Sequence, residues 1–227
     1  LKRNQKLRLA IESAFYSSLA YGKGAFLDES LKSDSYKNDS WIWHFDDEAR
    51  ILFLSVKGTD DLMDMIKNIS ILPKKLKGVG YLHRGFLSSA RSVLAYCLPQ
   101  LNHAKERGYK VVLSGHSYGG AVVQVMQEIL NDKHKIPSEC VTFGSPRVWF
   151  IGAKPKGLHL RVQIDSDPVT KMPLILGRVF RIFKHRQTEM LEVKTPSFFS
   201  FHSHKITTYE KLLEKELIQN VKSQLQN

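Results

Sequence analysis

The segment Gly115-His116-Ser117-Tyr118-Gly119 constrains this 227-residue chain more than any other. A strand-like run, Val111–Leu113, precedes it, and an apolar segment of helical length, Ala121–Leu130, follows it. A serine with glycines two before and two after, set between strand and helix, has to occupy a tight, strained turn that lifts its hydroxyl off the sheet. Glycine lets the neighbouring backbone pass closely, and Gly120 adds further room. The bland alternative is a glycine-rich turn with a surface serine, so the rest of the chain has to decide.

A serine hydroxyl is a weak nucleophile. It needs a base, and the base needs an acid to orient it. On turns of this kind the chain order is Ser, then Asp or Glu, then His. Asp165 and Asp167 follow the alternating segment Leu158–Ile164, and His202 and His204 precede the last helical segment. Both pairs fall at strand or loop ends, where reacting groups belong in an open α/β sheet.

The remaining periodicities describe the scaffold. Segment 4–21 has helical spacing in Leu7, Ile11, Ala14, Phe15 and Leu19. Ser30–Asn38 is polar and turn-like. Trp41–Phe45 and Arg50–Val56 read as strands, joined so tightly that only an antiparallel hairpin fits. Asp60–Lys67 suggests a short helix with acids at its positive end, and Pro73–Gly80 a loop. Gly85–Leu101 looks helical with Pro99 near its end. Lys110–Leu113, Cys140–Phe143, Val179–Phe183 and Met190–Val193 have strand character, and Ile206–Asn220 closes the chain as a helix. Alternating strands and helices predict an α/β fold, with a mostly parallel central sheet and helices on both faces. Without a Pro/Gly/Ser-rich linker, residues 1–227 read as one domain.

Composition removes other classes. Apolar residues make up 42% of the chain, which excludes disorder as the main state. No apolar run approaches the ~18 residues of a bilayer span. The two cysteines, Cys97 in a helix and Cys140 in a strand, read as buried thiols. The nine histidines show no metal-ligand spacing, so neither metal nor cofactor is expected. Lys and Arg exceed Asp and Glu by 34 to 22. Met65–Lys105 holds seven basic residues and no acid, and Pro168–Thr188 five and none. Such a surface is either merely solvated or suits an anionic partner; nucleic-acid motifs are missing, so nucleic acid is not expected. The chain opens on Leu1, as a processed form or a fragment would, and Leu1–Ala10 is too charged for a signal-peptide core. A signal removed earlier would leave no trace, so the compartment stays open. The sequons at Asn38 and Asn68 decide nothing about secretion.

Six segments in order make the chain resemble the class 3 (fungal-type) lipase family of the α/β-hydrolase fold. They are Leu19-Ala20-Tyr21, Val56-Lys57-Gly58-Thr59, His83-Arg84-Gly85-Phe86, the serine turn, Thr142-Phe143-Gly144-Ser145-Pro146-Arg147, and Asp167-Pro168-Val169 with Met172-Pro173. Lys57 stands where the family usually has Arg, Thr170 where proline is common, and Trp149-Phe150 where Gly-Asn is usual. The resemblance implies a serine carboxylic-ester hydrolase acting on acylglycerols. The alternatives are a phospholipase or other acyl esterase, or an inactive membrane- or partner-binding domain. It implies Ser117 as nucleophile and Asp167, by register, as the orienting acid. It implies His204, five residues before Tyr209, as base rather than His202. It places the oxyanion donors on the backbone N–H groups of Thr59 and Tyr118. It also implies a lid between Asp60 and Leu82, where Leu62, Met63, Met65 and Ile66 would face lipid and Lys74, Lys75 and Lys77 anionic headgroups. Phe198, Phe199 and Phe201 could line an acyl groove, although core packing is the simpler reading.

Overall fold

Five apolar residues in the six-residue strand β3 (Ile51–Val56) organise the centre of the molecule. Leu52, Leu54 and Val56 pack into one core and Phe53 into another on the opposite side. In β6 (Lys110–His116) the same alternation sends Val111 and Leu113 one way and Val112 the other. Successive side chains point to opposite faces of a sheet, so a continuous apolar run belongs to a strand buried on both. Burying each such Val, Leu or Phe is worth roughly 1.5–3 kcal/mol.

The computed structural model describes residues 2–22, 35–37, 40–59, 72–152, 157–172, 184–185, 188–195 and 201–225. Its main sheet has seven strands in the order β1-β2-β3-β6-β7-β9-β10. β3, β6, β7 (Ser138–Phe143), β9 (His159–Ile164) and β10 (Glu189–Val193) run parallel. β1 (Ser35–Lys37) and β2 (Trp41–Asp46) complete one edge as antiparallel neighbours, with β2 and β3 forming the tight hairpin. Helices α1 (Arg3–Leu19) and α4 (Ile206–Leu225) pack against each other over one face. α2 (Arg84–Glu106) and α3 (Tyr118–Ile129) cover the other. The expected α/β-hydrolase architecture is therefore present.

Three expectations change. Ser30–Asn38 does not stay a turn throughout, because Ser35–Lys37 pairs with β2. Pro73–Gly80 is not a loop: β4 (Pro73–Leu76) and β5 (Gly80–His83) pair antiparallel and, with β8 (Trp149–Gly152), make a second, three-stranded sheet. β4 is exposed over most of its length and so carries no apolar alternation; backbone pairing holds it. Helix α2 continues through Pro99 to Glu106. Its packing on α3 offsets the proline's lost hydrogen bond, whose absence would otherwise cost ~3 kcal/mol. The expected helix Asp60–Lys67, the strand Val179–Phe183, the residues Leu62, Met63, Met65 and Ile66, both sequon asparagines, Phe198 and Phe199 lie outside the described residues. No helix among the described residues is long and apolar enough to cross a membrane.

Candidate active site

Three loops that leave the C-terminal ends of parallel strands converge, the place where open α/β sheets bind ligands. Lys57–Thr59 follows β3, Ser117 follows β6, and Asp167 follows β9.

Ser117 has φ 55° and ψ −123°, a strained conformation for a residue with a side chain, and is almost fully buried. Its N–H donates to the Phe143 carbonyl on β7 at 2.9 Å, which pins the turn to the next strand. Gly119 explains why the motif needs glycine two residues on: a Cβ there would collide with the Val56 carbonyl oxygen and sit 2.8 Å from that of Lys57.

Asp167 is wholly buried, and a buried carboxylate requires donors. It has three. The Val169 N–H reaches Oδ1 at 2.9 Å, while His204 Nδ1 at 2.8 Å and the Tyr209 hydroxyl at 2.6 Å both reach Oδ2. A carboxylate only accepts, so Nδ1 of His204 carries the proton and Nε2 presents its lone pair. The Tyr209 hydroxyl also accepts the Ile164 N–H, at 3.3 Å. Burial, and then the charge of Asp167, push the Tyr209 phenol well above its ordinary value, so it stays a donor. Thr170, where proline was expected, closes the loop by donating its hydroxyl to the Asp167 carbonyl at 2.9 Å. Asp165 points elsewhere and accepts from the N–H and hydroxyl of Thr195. His202 shares a short 3-10 turn with His204, but its side chain lies outside the described residues, as does that of Phe201.

His116, next to the serine, ties the two sides together. Its Nε2 donates to the backbone carbonyl of His204, and its Nδ1 meets the Tyr21 hydroxyl at 2.8 Å. The rings of His116 and His204 lie 4.5 Å apart. Lys57 Nζ lies 5.6 Å from the centre of the Tyr21 ring. Ser117 Oγ and His204 Nε2 are both buried, and neither has a hydrogen-bond partner among the described residues. Gly144, with φ +55°, passes so close that a Cβ would stand 2.9 Å from His204 Nδ1.

The Lys57–Thr59 turn abuts the serine: a Cβ on Gly58 would fall 3.1 Å from Ser117 Cβ. Tyr118 opens α3, so its N–H is one of the first four that lack an intrahelical acceptor. Its phenol turns towards α2, 2.7 Å from the Ser89 hydroxyl. Thr59 and Tyr118 both border a cavity of about 370 Å³ whose wall includes Ser40, Ser88, Ser89 and Ser92. No group of His, Cys, Asp or Glu among the described residues is arranged to hold a metal.

Sequence reasoning treated Tyr209 only as a marker for His204, and gave His116 and Tyr21 no role of their own. Their partners lie 42, 95 and 88 positions away, so only the folded chain brings them together.

The family model for class 3 lipases matches residues 53–177, more than half of the chain. This chain belongs to the class 3 lipase family. Among curated proteins, this class 3 lipase-family chain is 31% identical over 153 residues to secreted mono- and diacylglycerol lipase 1 of Fusarium solani. That match covers 63% of this chain and 44% of the relative, so the chain spans less than half of the relative's length. Among solved structures, it is similar to the triacylglyceride lipase of Rhizomucor miehei, with TM-score 0.66 and 18% identity over 85% of this chain and 82% of that one. The Lip2 lipase of Yarrowia lipolytica gives 0.65 and 16% over 85% and 81%. At such identities the likeness speaks for the fold.

Proposed function

We propose that this family member is a serine hydrolase of lipid carboxylic esters, with acylglycerols as substrates. The observation that carries the reading is the buried Asp167–His204 hydrogen bond beside a strained serine, with Ser117 Oγ and His204 Nε2 both without a hydrogen-bond partner among the described residues. In ligand-free sites such catalytic hydrogen bonds are often long and tighten with substrate.

In this mechanism Ser117 Oγ attacks the ester carbonyl carbon while His204 Nε2 takes its proton. The imidazolium so formed is held by Asp167 through Nδ1–H. Negative charge gathers on the former carbonyl oxygen and is met by the backbone N–H groups of Thr59 and Tyr118, each worth about 3 kcal/mol in the transition state. The tetrahedral intermediate collapses, His204 protonates the leaving alcohol, and an acyl-serine remains. Water, deprotonated by the same Nε2, then frees the fatty acid and restores the serine. The choice of acylglycerols is supported by the names of the relatives, one a mono- and diacylglycerol lipase and another a triacylglyceride lipase. Contact with an anionic lipid surface belongs to the same reading, with exposed Lys74 on the hairpin as one of its cations.

The test is covalent labelling by a fluorophosphonate, together with hydrolysis of mono-, di- and triacylglycerols, phosphatidylcholine and soluble aryl esters. Labelling is expected in the wild type and in His202→Ala and is expected to vanish in Ser117→Ala, with acylglycerols turned over faster than phospholipid. Labelling that survives Ser117→Ala, or activity retained by His204→Ala and lost in His202→Ala, refutes the assignment. Faster phospholipid turnover refutes the choice of substrate.

A further inference from the structure

A cavity of about 830 Å³ lies away from the serine, between the β4–β5 hairpin, the outer face of α2 and the far end of α3. Ile129 in its wall is eleven residues along α3 from Tyr118, or about 16 Å at 1.5 Å per residue. The volume falls within the ~300–1,000 Å³ usual for small-molecule sites.

The lining has two chemistries. Leu94, Ala95 and Leu98 form a stripe on α2 and, with Leu76, Val79 and Ile129, make an apolar trench. Four basic residues contribute to its lining, Lys75, Lys77, Arg91 and Lys133, against one carboxylate among the described residues, Asp132; Lys75 Nζ lies 5.8 Å from the centre of the Tyr81 ring, at the rim. His134 in the same wall is pushed below its ordinary value by burial and by Lys133, which agrees with a positive local field.

We propose that this cavity binds a single-chain anionic amphiphile, a long-chain fatty acid, with its alkyl chain along the α2 stripe and its carboxylate among Lys75, Lys77, Arg91 and Lys133. Each half of the lining argues for one half of that ligand. A polyanion alone would leave the trench bare. A neutral lipid would gain nothing from the four cations, which in a trench with low-dielectric walls favour one concentrated negative charge. The inference stands on this lining and does not depend on the chemistry of Ser117.

The full chain is titrated with cis-parinaric acid below its micelle concentration, and the bound probe is displaced by oleate or by uncharged oleyl alcohol. The variants are Ala95→Trp, which fills the trench from an exposed helix position, and Lys75→Glu/Arg91→Glu, which reverses part of the rim; circular dichroism checks their fold. We expect one saturable site, at least tenfold weaker in both variants, and a tenfold preference for oleate over oleyl alcohol that disappears on charge reversal. Ester hydrolysis by Ala95→Trp should match the wild type. No saturable uptake, uptake unchanged in a folded Ala95→Trp, or equal affinity for acid and alcohol overturns the proposal. So does joint loss of uptake and hydrolysis in Ala95→Trp, which would place the amphiphile at the serine. Binding to phosphatidylglycerol vesicles without binding of monomeric oleate overturns it in favour of a membrane surface. Should no form of the protein hydrolyse esters, the uptake measurements still decide.

Discussion

Replacing Tyr209 by Phe removes one oxygen from a fully enclosed place and separates what that oxygen does for stability from what it does for turnover. The hydroxyl donates to Asp167 Oδ2 at 2.6 Å and accepts from the Ile164 N–H at 3.3 Å. A hydrogen bond to a charged group contributes ~1.5–3 kcal/mol, and an orphaned buried N–H costs ~1–3 kcal/mol. Asp167 keeps two donors, Val169 N–H and His204 Nδ1–H, so the two losses do not add in full. We expect a destabilisation of ~2–4 kcal/mol, which lowers Tm by roughly 5–15 °C in a domain of this size. On the proposed mechanism His204 gains a positive charge in the transition state, and a correctly aimed Asp167 stabilises it. The variant should therefore lose kcat, about 10- to 100-fold or ~1.4–2.8 kcal/mol, on a soluble aryl ester with KM little changed. Calorimetry and steady-state kinetics well below the variant's Tm read the two effects independently. Wild-type Tm together with wild-type kcat would refute the account of Asp167 as a carboxylate held by three donors. A lowered Tm with unchanged kcat would make Tyr209 a structural residue only.

Three further expectations are specific. Gly119→Ala drives a Cβ into the carbonyl oxygen of Val56 on a strand that cannot yield, so more than ~4 kcal/mol of stability should be lost and the protein should be recovered unfolded or aggregated; a soluble, active Gly119→Ala would contradict the elbow geometry. His83 and His185 are both lowered to about 4, chiefly by burial and for His185 also by Arg161, whereas an unfolded imidazole titrates near ~6.5. Above that value neither state binds the proton and stability is complete. As pH falls towards 4 only the unfolded chain takes it up, so stability should drain by about 3 kcal/mol per histidine in urea titrations across that window. Since His83 Nδ1 accepts the Gly85 N–H at the start of α2, His83→Asn should keep the cap and flatten part of the slope, and an unaltered slope would count against it. Cys97 is raised to about 12 by burial and Cys140 also lies well above its ordinary value, so neither thiol should react with Ellman's reagent until denaturant is added; rapid reaction of the native protein would show one of them to be accessible.

What could be read from the sequence, and what could not, follows from where the physical signal resides. β3, β6 and α3 are legible because most of their buried residues are apolar, although Ser55, Ser114, Gln124, Gln127 and Glu128 are buried with them, and the serine turn because its glycines are dictated by backbone a few residues away or on the adjacent strand. β4 is illegible since Pro73-Lys74-Lys75-Leu76 lies on the surface and is held by pairing with β5, a choice that leaves no periodicity. β8 escaped because Trp149-Phe150 was noticed only as a departure from the family pattern. The structure gives the departure a reason: Trp149 is buried in the α2–α3 core, with its indole N–H 3.4 Å from Gln124 Oε1. The same division runs through the site. Register favours Asp167 over Asp165 as the proposed orienting acid, and in the fold Asp165 faces Thr195, while Asp167 is turned inward onto three donors. The outer tier of hydrogen bonds from Tyr21, His116 and Tyr209 has no local signature, because each of these side chains answers to a partner on another element. Yet that tier explains the His of the Gly-His-Ser turn. His116 hangs the backbone of His204 from the strand that carries Ser117, so one imidazole ties the proposed base to the strand of the proposed nucleophile across 88 positions of chain.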